Sequence, residues 1–308
     1  MPTTWFIITR AIHIGACLLF FGIFAFDRCV TTAISDQSGK GFRDWWRTRL
    51  KFFAVGLLPI ILLSGMFWLA LVAMTMSGEP LGAGILKVVW NQTQFGIVWK
   101  IRSCLWLAAF IVAVCGWRRM TSYFIKLQLL LGGALLGTLA WAGHGQESSP
   151  WHLSADVLHL LVAGLWPSGL LPLALMLKKL QASPGPAQGE SIAILVRRFS
   201  ALSLVSVSLL TLTGLVNSWY LVGSVSNLMQ EPYGRWLLLK LILFGIIIAI
   251  GAINLLRLKP RIESEEYQSQ PAGKAVVRLQ FNVRAELFLA MLVVIVVAVL
   301  GILPPANH

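Results

Sequence analysis

The chain has 308 residues, of which 57% are hydrophobic and only 12% are charged, and its mean hydropathy is +0.77. This composition excludes an ordinary soluble globular protein and places the chain among membrane proteins. A formal net charge of +13 would suggest a nucleic-acid partner in a soluble protein, but in a membrane protein it first carries information on topology.

Eight apolar stretches of about 20 residues are each long enough to cross a bilayer as a helix. They cover residues 5–26, 52–76, 95–115, 122–143, 152–177, 194–221, 235–257 and 285–303. The first stretch lacks a basic region ahead of it and carries Arg10 and His13 inside it, so we expect a retained helix and no cleaved signal. The sequence therefore predicts an all-α, multi-pass membrane protein.

Lysine and arginine are concentrated in alternate connections, namely those after the first, third, fifth and seventh helices. The connection that contains His144 has no basic residue. Because basic loops stay in the cytoplasm, this pattern predicts that both termini and the His144 loop face outward. The charge then needs no nucleic-acid partner to explain it, and the lipid bilayer is the expected surrounding.

The second four helices repeat features of the first four, with equal spacing from Arg49 to Gly65 and from Arg198 to Gly214, and from Gly96 to Arg102 and from Gly234 to Lys240. A histidine opens each half, a hydroxyl–glycine pair follows on the next helix, and a cation follows on the third. The paired positions are His13 and His159, Ser64–Gly65 and Thr213–Gly214, and Arg102 and Lys240. Since four spans return the chain to the same side, the sequence predicts two parallel four-helix repeats, residues 1–147 and 148–308, with a ligand site at their junction.

Three of the five histidines fall between His144 and Gly169. On a helix, His152, Asp156 and His159 are at i, i+4 and i+7 and share one face. We therefore predict metal ligation by His144, His152, Asp156 and His159, together with His13 as the counterpart of His159. An interfacial helix start and simple packing are the alternatives for these residues.

Two methionines at the end of the second helix, Met74 and Met76, are secondary metal candidates, because thioethers and imidazoles suit Cu(I). The four cysteines lack CxxC spacing, so we expect buried apolar thiols and neither a disulfide framework nor a zinc site.

Positive residues near the predicted outer surface favour a different ligand. Arg10 or Lys240 could meet the propionates of a haem b whose axial ligands are His13 and His159. Snorkelling of these cations to headgroups is the alternative explanation.

Four segments carry a family resemblance: RAIHIGACLLFFG, GHG followed by ADVLHLLVAGLWPSGLLPL, RRFSALSLVSVSLLTLTG, and YGRWLLLKLILFGIIIAIGAINLLRLKP. The chain resembles the CopD/PcoD copper-resistance family of bacterial inner-membrane proteins over nearly its whole length. The resemblance implies copper transfer or uptake with a periplasmic CopC-type copper-binding partner. A looser similarity links the histidine–tryptophan spacing to small membrane haem proteins.

We therefore predict a copper transporter rather than an enzyme. In this hypothesis His144 and His152 capture copper at the mouth, Asp156 compensates its charge, and His159 with His13 holds it deeper. The alternative is a haem b redox protein, such as a cupric reductase. A third possibility is a structural membrane subunit whose histidines only pack.

Overall fold

A computed structural model describes residues 2–34, 40–78, 80–142, 149–182, 188–264 and 273–306. Within these ranges the chain forms helices and turns, without a strand. Eight helical stretches there are long and apolar enough to cross a membrane, which confirms the predicted fold class. They are Thr3–Ala33, Gly41–Ser77, Gln94–Cys115, Ser122–Ala142, Pro150–Gln181, Gln188–Val222, Pro232–Glu263 and Lys274–Leu300.

We number the α-helices of the described ranges in chain order. They are α1 (Pro2–Cys29), α2 (Lys40–Ser77), α3 (Ala83–Gln92), α4 (Gln94–Cys115), α5 (Ser122–Gly137), α6 (Pro150–Leu165), α7 (Leu170–Gln181), α8 (Gln188–Val222), α9 (Val225–Gln230), α10 (Pro232–Ile253), α11 (Lys259–Glu263) and α12 (Lys274–Leu300). Short 3₁₀ turns follow α1 and α5, and a π-helical segment, Asn254–Leu258, joins α10 to α11.

The helix that carries His159 is broken where the sequence contains proline and glycine. Ser149 caps the start of α6 by accepting from a backbone N–H, and Pro150 occupies a first-turn position where its missing N–H is not needed. A turn then separates α6 from α7, and Pro172 falls in the first turn of α7. The spanning unit is therefore two helices in series, with His152, Asp156 and His159 all on α6.

Helix α1 occupies the centre of the bundle and packs against α2, α5, α6 and α12. Its side chains Phe20 and Phe24 are fully buried. The backbones of α1 and α6 meet at Gly22 and Gly164, where a Cβ on Gly22 would lie 2.5 Å from the carbonyl oxygen of Gly164. Glycine at this crossing lets the two helices approach closely, as in other membrane helix pairs.

The short helices α3 and α9 precede α4 and α10 and fold back over their first turns. A Cβ on Gly96 would lie 2.2 Å from the carbonyl oxygen of Val89, and one on Gly234 would lie 2.3 Å from that of Asn227. The short helix therefore packs so closely on the first turn of each long helix that only glycine fits at positions 96 and 234.

Candidate functional site

His13 on α1 lies in a buried polar cluster between α1, α2 and α4. Its Nδ1 is 2.9 Å from the hydroxyl oxygen of Ser64, and its Nε2 is 2.6 Å from Nη2 of Arg102. Trp68 packs edge-on against the ring, and Trp99 stacks on it. Because His13 is only 2% exposed, the cluster is closed to the surroundings.

The hydroxyl of Ser64 determines the tautomer of His13. It donates to the carbonyl oxygen of Ile60 at 2.5 Å, so it can only accept from the ring. Nδ1 of His13 therefore carries the proton and donates to Ser64. This leaves Nε2 as the acceptor for Arg102, whose guanidinium has donors only.

Arg102 ties this cluster to the end of α5. Its Nη1 donates to the carbonyl oxygen of Leu135 at 2.6 Å and to the hydroxyl of Thr138 at 2.7 Å. Its Nη2 reaches the thiol of Cys17 at 3.5 Å, and that sulfur lies 3.8 Å from Nε2 of His13. Arg102 points inward and is 4% exposed, so it meets protein groups rather than an anionic headgroup.

Arg10, a sequence candidate for haem binding, packs at the end of α12. Its Cζ lies 4.5 Å from the centre of the Trp68 ring. A Cβ on Gly301 would lie 1.7 Å from Nη2 of Arg10, so the guanidinium fills the space beside that glycine. A cation at a helix C-terminus is favoured by the helix dipole, which gives Arg10 a structural partner.

Polar residues of α6 form a row along α8. The ring of His152 stacks on Tyr220 with centroids 4.8 Å apart, and Asn217 donates to the carboxylate of Asp156 at 3.2 Å. One turn further along, His159 contacts α8 as well. We call this row the α6–α8 seam, and its residues are His152, Asp156, His159, Thr213, Asn217 and Tyr220.

His159 is oriented by a hydroxyl on α8. Its Nδ1 is 2.9 Å from Oγ1 of Thr213, and Thr213 donates to the carbonyl oxygen of Leu209 at 2.7 Å. Nδ1 therefore carries the proton, and Nε2 keeps the lone pair that can bind a metal. Lys240 on α10 interacts electrostatically with both Asp156 and His159.

The two histidines have equivalent surroundings. Nδ1 of each ring faces a helix hydroxyl, and the glycine after that hydroxyl lies beside Cε1. A Cβ on Gly65 would be 3.1 Å from Cε1 of His13, and one on Gly214 would be 3.6 Å from Cε1 of His159. The two halves differ in what the cation contacts. Arg102 donates a hydrogen bond to His13, whereas no hydrogen bond among the described residues joins Lys240 to His159.

The structure does not bring all predicted ligands together. His13 faces α2 and α4, whereas His159 faces α8 and α10. His144 lies outside the described residues, and within those residues no three His, Cys, Asp or Glu side chains are grouped as a metal site. The haem alternative gains no support, because Nε2 of His13 already accepts from Arg102.

The predicted sulfur ligands are separate from the seam. Met74 and Met76 lie in the last turn of α2, where Met76 is 62% exposed. The expectation of buried thiols holds for Cys17, which is 1% exposed. It was wrong for three cysteines that face outward, where an apolar thiol can contact lipid: Cys29, Cys104 and Cys115.

Sequence reasoning missed several partners of the histidines. Cys17 was assigned to packing, although its i+4 spacing from His13 places both on one face of α1. Asn217 and Tyr220 went unnoticed, although with Thr213 they form an i, i+4, i+7 row on α8 that matches the row on α6. Pairing the two rows would have located the seam.

Two family profiles match the chain. The profile described as "Copper resistance protein D-like, N-terminal domain" matches residues 1–155, and that described as "Copper resistance protein D" matches residues 193–300. A comparison with solved structures finds no match.

Three relatives align over much of the chain. Copper resistance protein D of Pseudomonas syringae pv. tomato is 34% identical over 224 residues, 70% of each chain. Copper transport protein CutJ of Bacillus subtilis is 29% identical over 184 residues, 58% of this chain and 34% of that protein. Inner membrane protein YebZ of Escherichia coli is 28% identical over 243 residues, 75% of this chain and 79% of that protein. The chain therefore belongs to the copper resistance protein D family and has a role in copper handling.

Proposed function

We propose that this protein takes copper from a periplasmic CopC-type carrier and moves it across the bacterial inner membrane. The observation that carries the proposal is the α6–α8 seam, where His152, Asp156 and His159 line one path along α8. The copper-related names of two relatives support copper as the cargo.

The path runs from the predicted periplasmic end of α6 into the bundle. His144 and His152 receive the ion at the mouth, and Asp156 balances its charge. His159 lies about 10 Å further along the helix than His152, at 1.5 Å per residue. Because Thr213 holds Nδ1 of His159, Nε2 is the nitrogen offered to copper. The path thus has an entry position and a deeper position.

His13 supplies a further position in this proposal. Its Nε2 and the sulfur of Cys17 are 3.8 Å apart, and imidazole with a soft sulfur ligand suits Cu(I). Arg102 occupies this nitrogen in the structure. Copper binding at His13 therefore requires the guanidinium to move off Nε2, so this position is closed when Arg102 is in place.

Copper binding to the purified full chain in lipid nanodiscs tests the proposal. We expect His159→Ala to weaken copper binding at least about tenfold, as loss of a ligand or its support commonly does. Ser154→Ala is the matched control, because Ser154 is exposed on α6 and its hydroxyl bonds only its own helix. Equal binding by both variants would contradict the proposed role of His159.

An absorption spectrum of the same sample tests the haem alternative. The copper proposal predicts stoichiometric copper and no haem absorption. A Soret band that disappears in His159→Ala would contradict the copper proposal and support the haem-binding alternative.

A further inference from the structure

A carboxyl group lies inside the bundle, away from both histidine clusters. Glu286 is near the middle of α12, roughly 18 Å along the helix from Lys274 at 1.5 Å per residue, and it is 2% exposed. Its Oε1 accepts a hydrogen bond from Nδ2 of Asn254 at 2.6 Å. Asn254 Oδ1 in turn accepts from Nδ2 of Asn282 at 2.6 Å. The three side chains form a linear hydrogen-bonded chain that ends on the carboxyl group.

Glu286 also lines a cavity of about 150 Å³ between α7, α8, α10 and α12. The walls are mainly apolar, with Trp166, Leu170 and Phe199 among them, and Ser203 adds a hydroxyl. This volume is large enough for several water molecules. The carboxyl group therefore has both an enclosed apolar setting and a space through which a small ligand can reach it.

No counter-ion accompanies Glu286 among the described residues. It is the only titratable residue of the cavity lining, and the ion pair that the described residues do form is elsewhere, between Arg197 and Glu263. The other charged or titratable groups of the elements around it are absent from the lining. They are Lys178 and Lys179 on α7, Glu190, Arg197, Arg198 and Tyr220 on α8, Tyr233, Arg235 and Lys240 on α10, Arg257 in the π-helical segment, Lys259, Arg261 and Glu263 on α11, Lys274, Arg278 and Arg284 on α12, and Arg10, His13, Cys17, Asp27, Arg28 and Cys29 on α1.

The backbone at Asn254 is specialised for this contact. Asn254 is the first residue of the π-helical segment, which interrupts the otherwise regular helix from α10 to α11. Such π-helical turns are uncommon and occur often at functional sites, because the extra residue per turn redirects side chains. Here the amide is directed at the carboxyl group of the neighbouring helix.

We propose that Glu286, Asn254 and Asn282 form a proton-exchange site, in which Glu286 binds and releases a proton through the cavity. An isolated buried carboxylate is costly unless a proton or a cation accompanies it, and the described surroundings supply no fixed cation. The neighbouring amides serve both states. With Glu286 ionised, Asn254 donates to it; with Glu286 protonated, rotation of the amides lets Asn254 Oδ1 accept the carboxyl O–H.

This site is separate from the copper path. Asn254 lies fourteen residues beyond Lys240, roughly 21 Å along the helix, and shares no contact residue with the α6–α8 seam. A proton site would supply a coupling ion for copper movement, a use that rests on the proposed function. The site itself can be tested without copper.

Carbodiimide labelling of the full chain in nanodiscs tests this inference, because carbodiimides react with protonated carboxyl groups in apolar surroundings. Mass spectrometry after labelling across a pH series locates and quantifies the adduct. We expect labelling of Glu286 that decreases as pH rises, and none at this position in Glu286→Gln. Asp156→Asn, in the seam, should leave the profile of Glu286 unchanged.

A second variant keeps the carboxyl group and alters its partner. Asn254→Leu removes the donor that stabilises the ionised form, so the midpoint of the labelling profile should move to higher pH by about one unit, a tenfold change in proton affinity. The inference is overturned if Glu286 is unlabelled at every pH, if its labelling does not depend on pH, or if the Leu variant leaves the midpoint in place. Protection of Glu286 by sodium or copper ions at constant pH would also overturn it in favour of a metal-cation site.

Discussion

At the scale of single residues, the hydroxyl beside each membrane histidine decides which ring nitrogen is available. Ser64 and Thr213 both donate to the carbonyl four residues earlier in their helix, so each can only accept from Nδ1. The consequence differs between the halves. Nε2 of His13 accepts from Arg102, whereas Nε2 of His159 is left for a ligand.

Replacing the hydroxyl at position 213 should therefore weaken copper binding without removing a ligand. Thr213→Val leaves Nδ1 of His159 without an acceptor, so the ring loses both its orientation and its fixed tautomer. We expect a loss of affinity of about tenfold, measured by copper titration.

The control for this change lies two residues away. Thr211→Val removes a hydroxyl that bonds only its own helix on an exposed face of α8, so affinity should be unchanged. Thr213→Ser should restore binding. If the Thr213→Val and Thr213→Ser variants bind copper equally, the hydroxyl has no role in positioning His159.

Residue identities alone could predict part of these clusters. The spacing of His152, Asp156 and His159 was sufficient to place them on one helix face, and all three contact α8. The contact of Arg102 with His13 depends on how α1 and α4 pack. On an apolar helix, one sequence does not reveal whether a residue faces lipid or the bundle interior, so this contact could not be predicted. The sequence therefore paired Arg102 only with its counterpart in the second half, Lys240.

At the scale of helices, the spans were predictable because about 20 apolar residues are needed to cross a bilayer, whatever the helices contact. The short helices α3 and α9 were not predicted, since their ten and six residues lie among turn-forming residues. Crossing points are also hidden in sequence, because glycine is common in membrane helices. Only the packing distinguishes Gly22, at a backbone contact, from Gly15 on the same helix.

This distinction gives a prediction with an internal control. In Gly22→Ala the new Cβ would lie 2.5 Å from the carbonyl oxygen of Gly164, so α1 and α6 must separate. We expect a loss of about 1–3 kcal/mol in stability, seen as a lower Tm in detergent.

The substitution Gly15→Ala should lower the stability and the Tm only slightly. Its Cβ would lie 3.8 Å from Cγ1 of Val294, an ordinary van der Waals contact. Equal Tm values for the two alanine variants would show that the α1–α6 crossing tolerates a side chain.

At the scale of the whole molecule, the recurrence of one histidine environment in each half supports the proposed pair of parallel four-helix repeats. It extends from the hydroxyl contact to the glycines that begin α4 and α10 beneath short helices. Equal residue spacings suggested this recurrence. The difference at Arg102 and Lys240 could not be predicted, because both are long cations whose partners depend on the fold.

The orientation of the whole bundle remains a prediction from the distribution of basic residues. Phosphatase fused after residue 145 should be active, since that connection is expected in the periplasm. A fusion after residue 185 should be inactive, because it follows the basic end of α7 at Lys178 and Lys179. Reporter activity in cells measures both, with a cytoplasm-active reporter at the same positions giving the opposite pattern. An active fusion after residue 185 and an inactive one after residue 145 would show that the topology is the reverse of the predicted one.

The position of α1 has a consequence for how the protein is made. Helix α1 packs against α12, which is synthesised much later, and Arg10 of α1 rests beside Gly301. The face of α1 that packs on α12 therefore lacks its protein partner in the bilayer until α12 has been synthesised. Assembly of this bundle is thus completed only after α12 has been inserted, and a nascent chain stalled before α12 should be a substrate for membrane quality control.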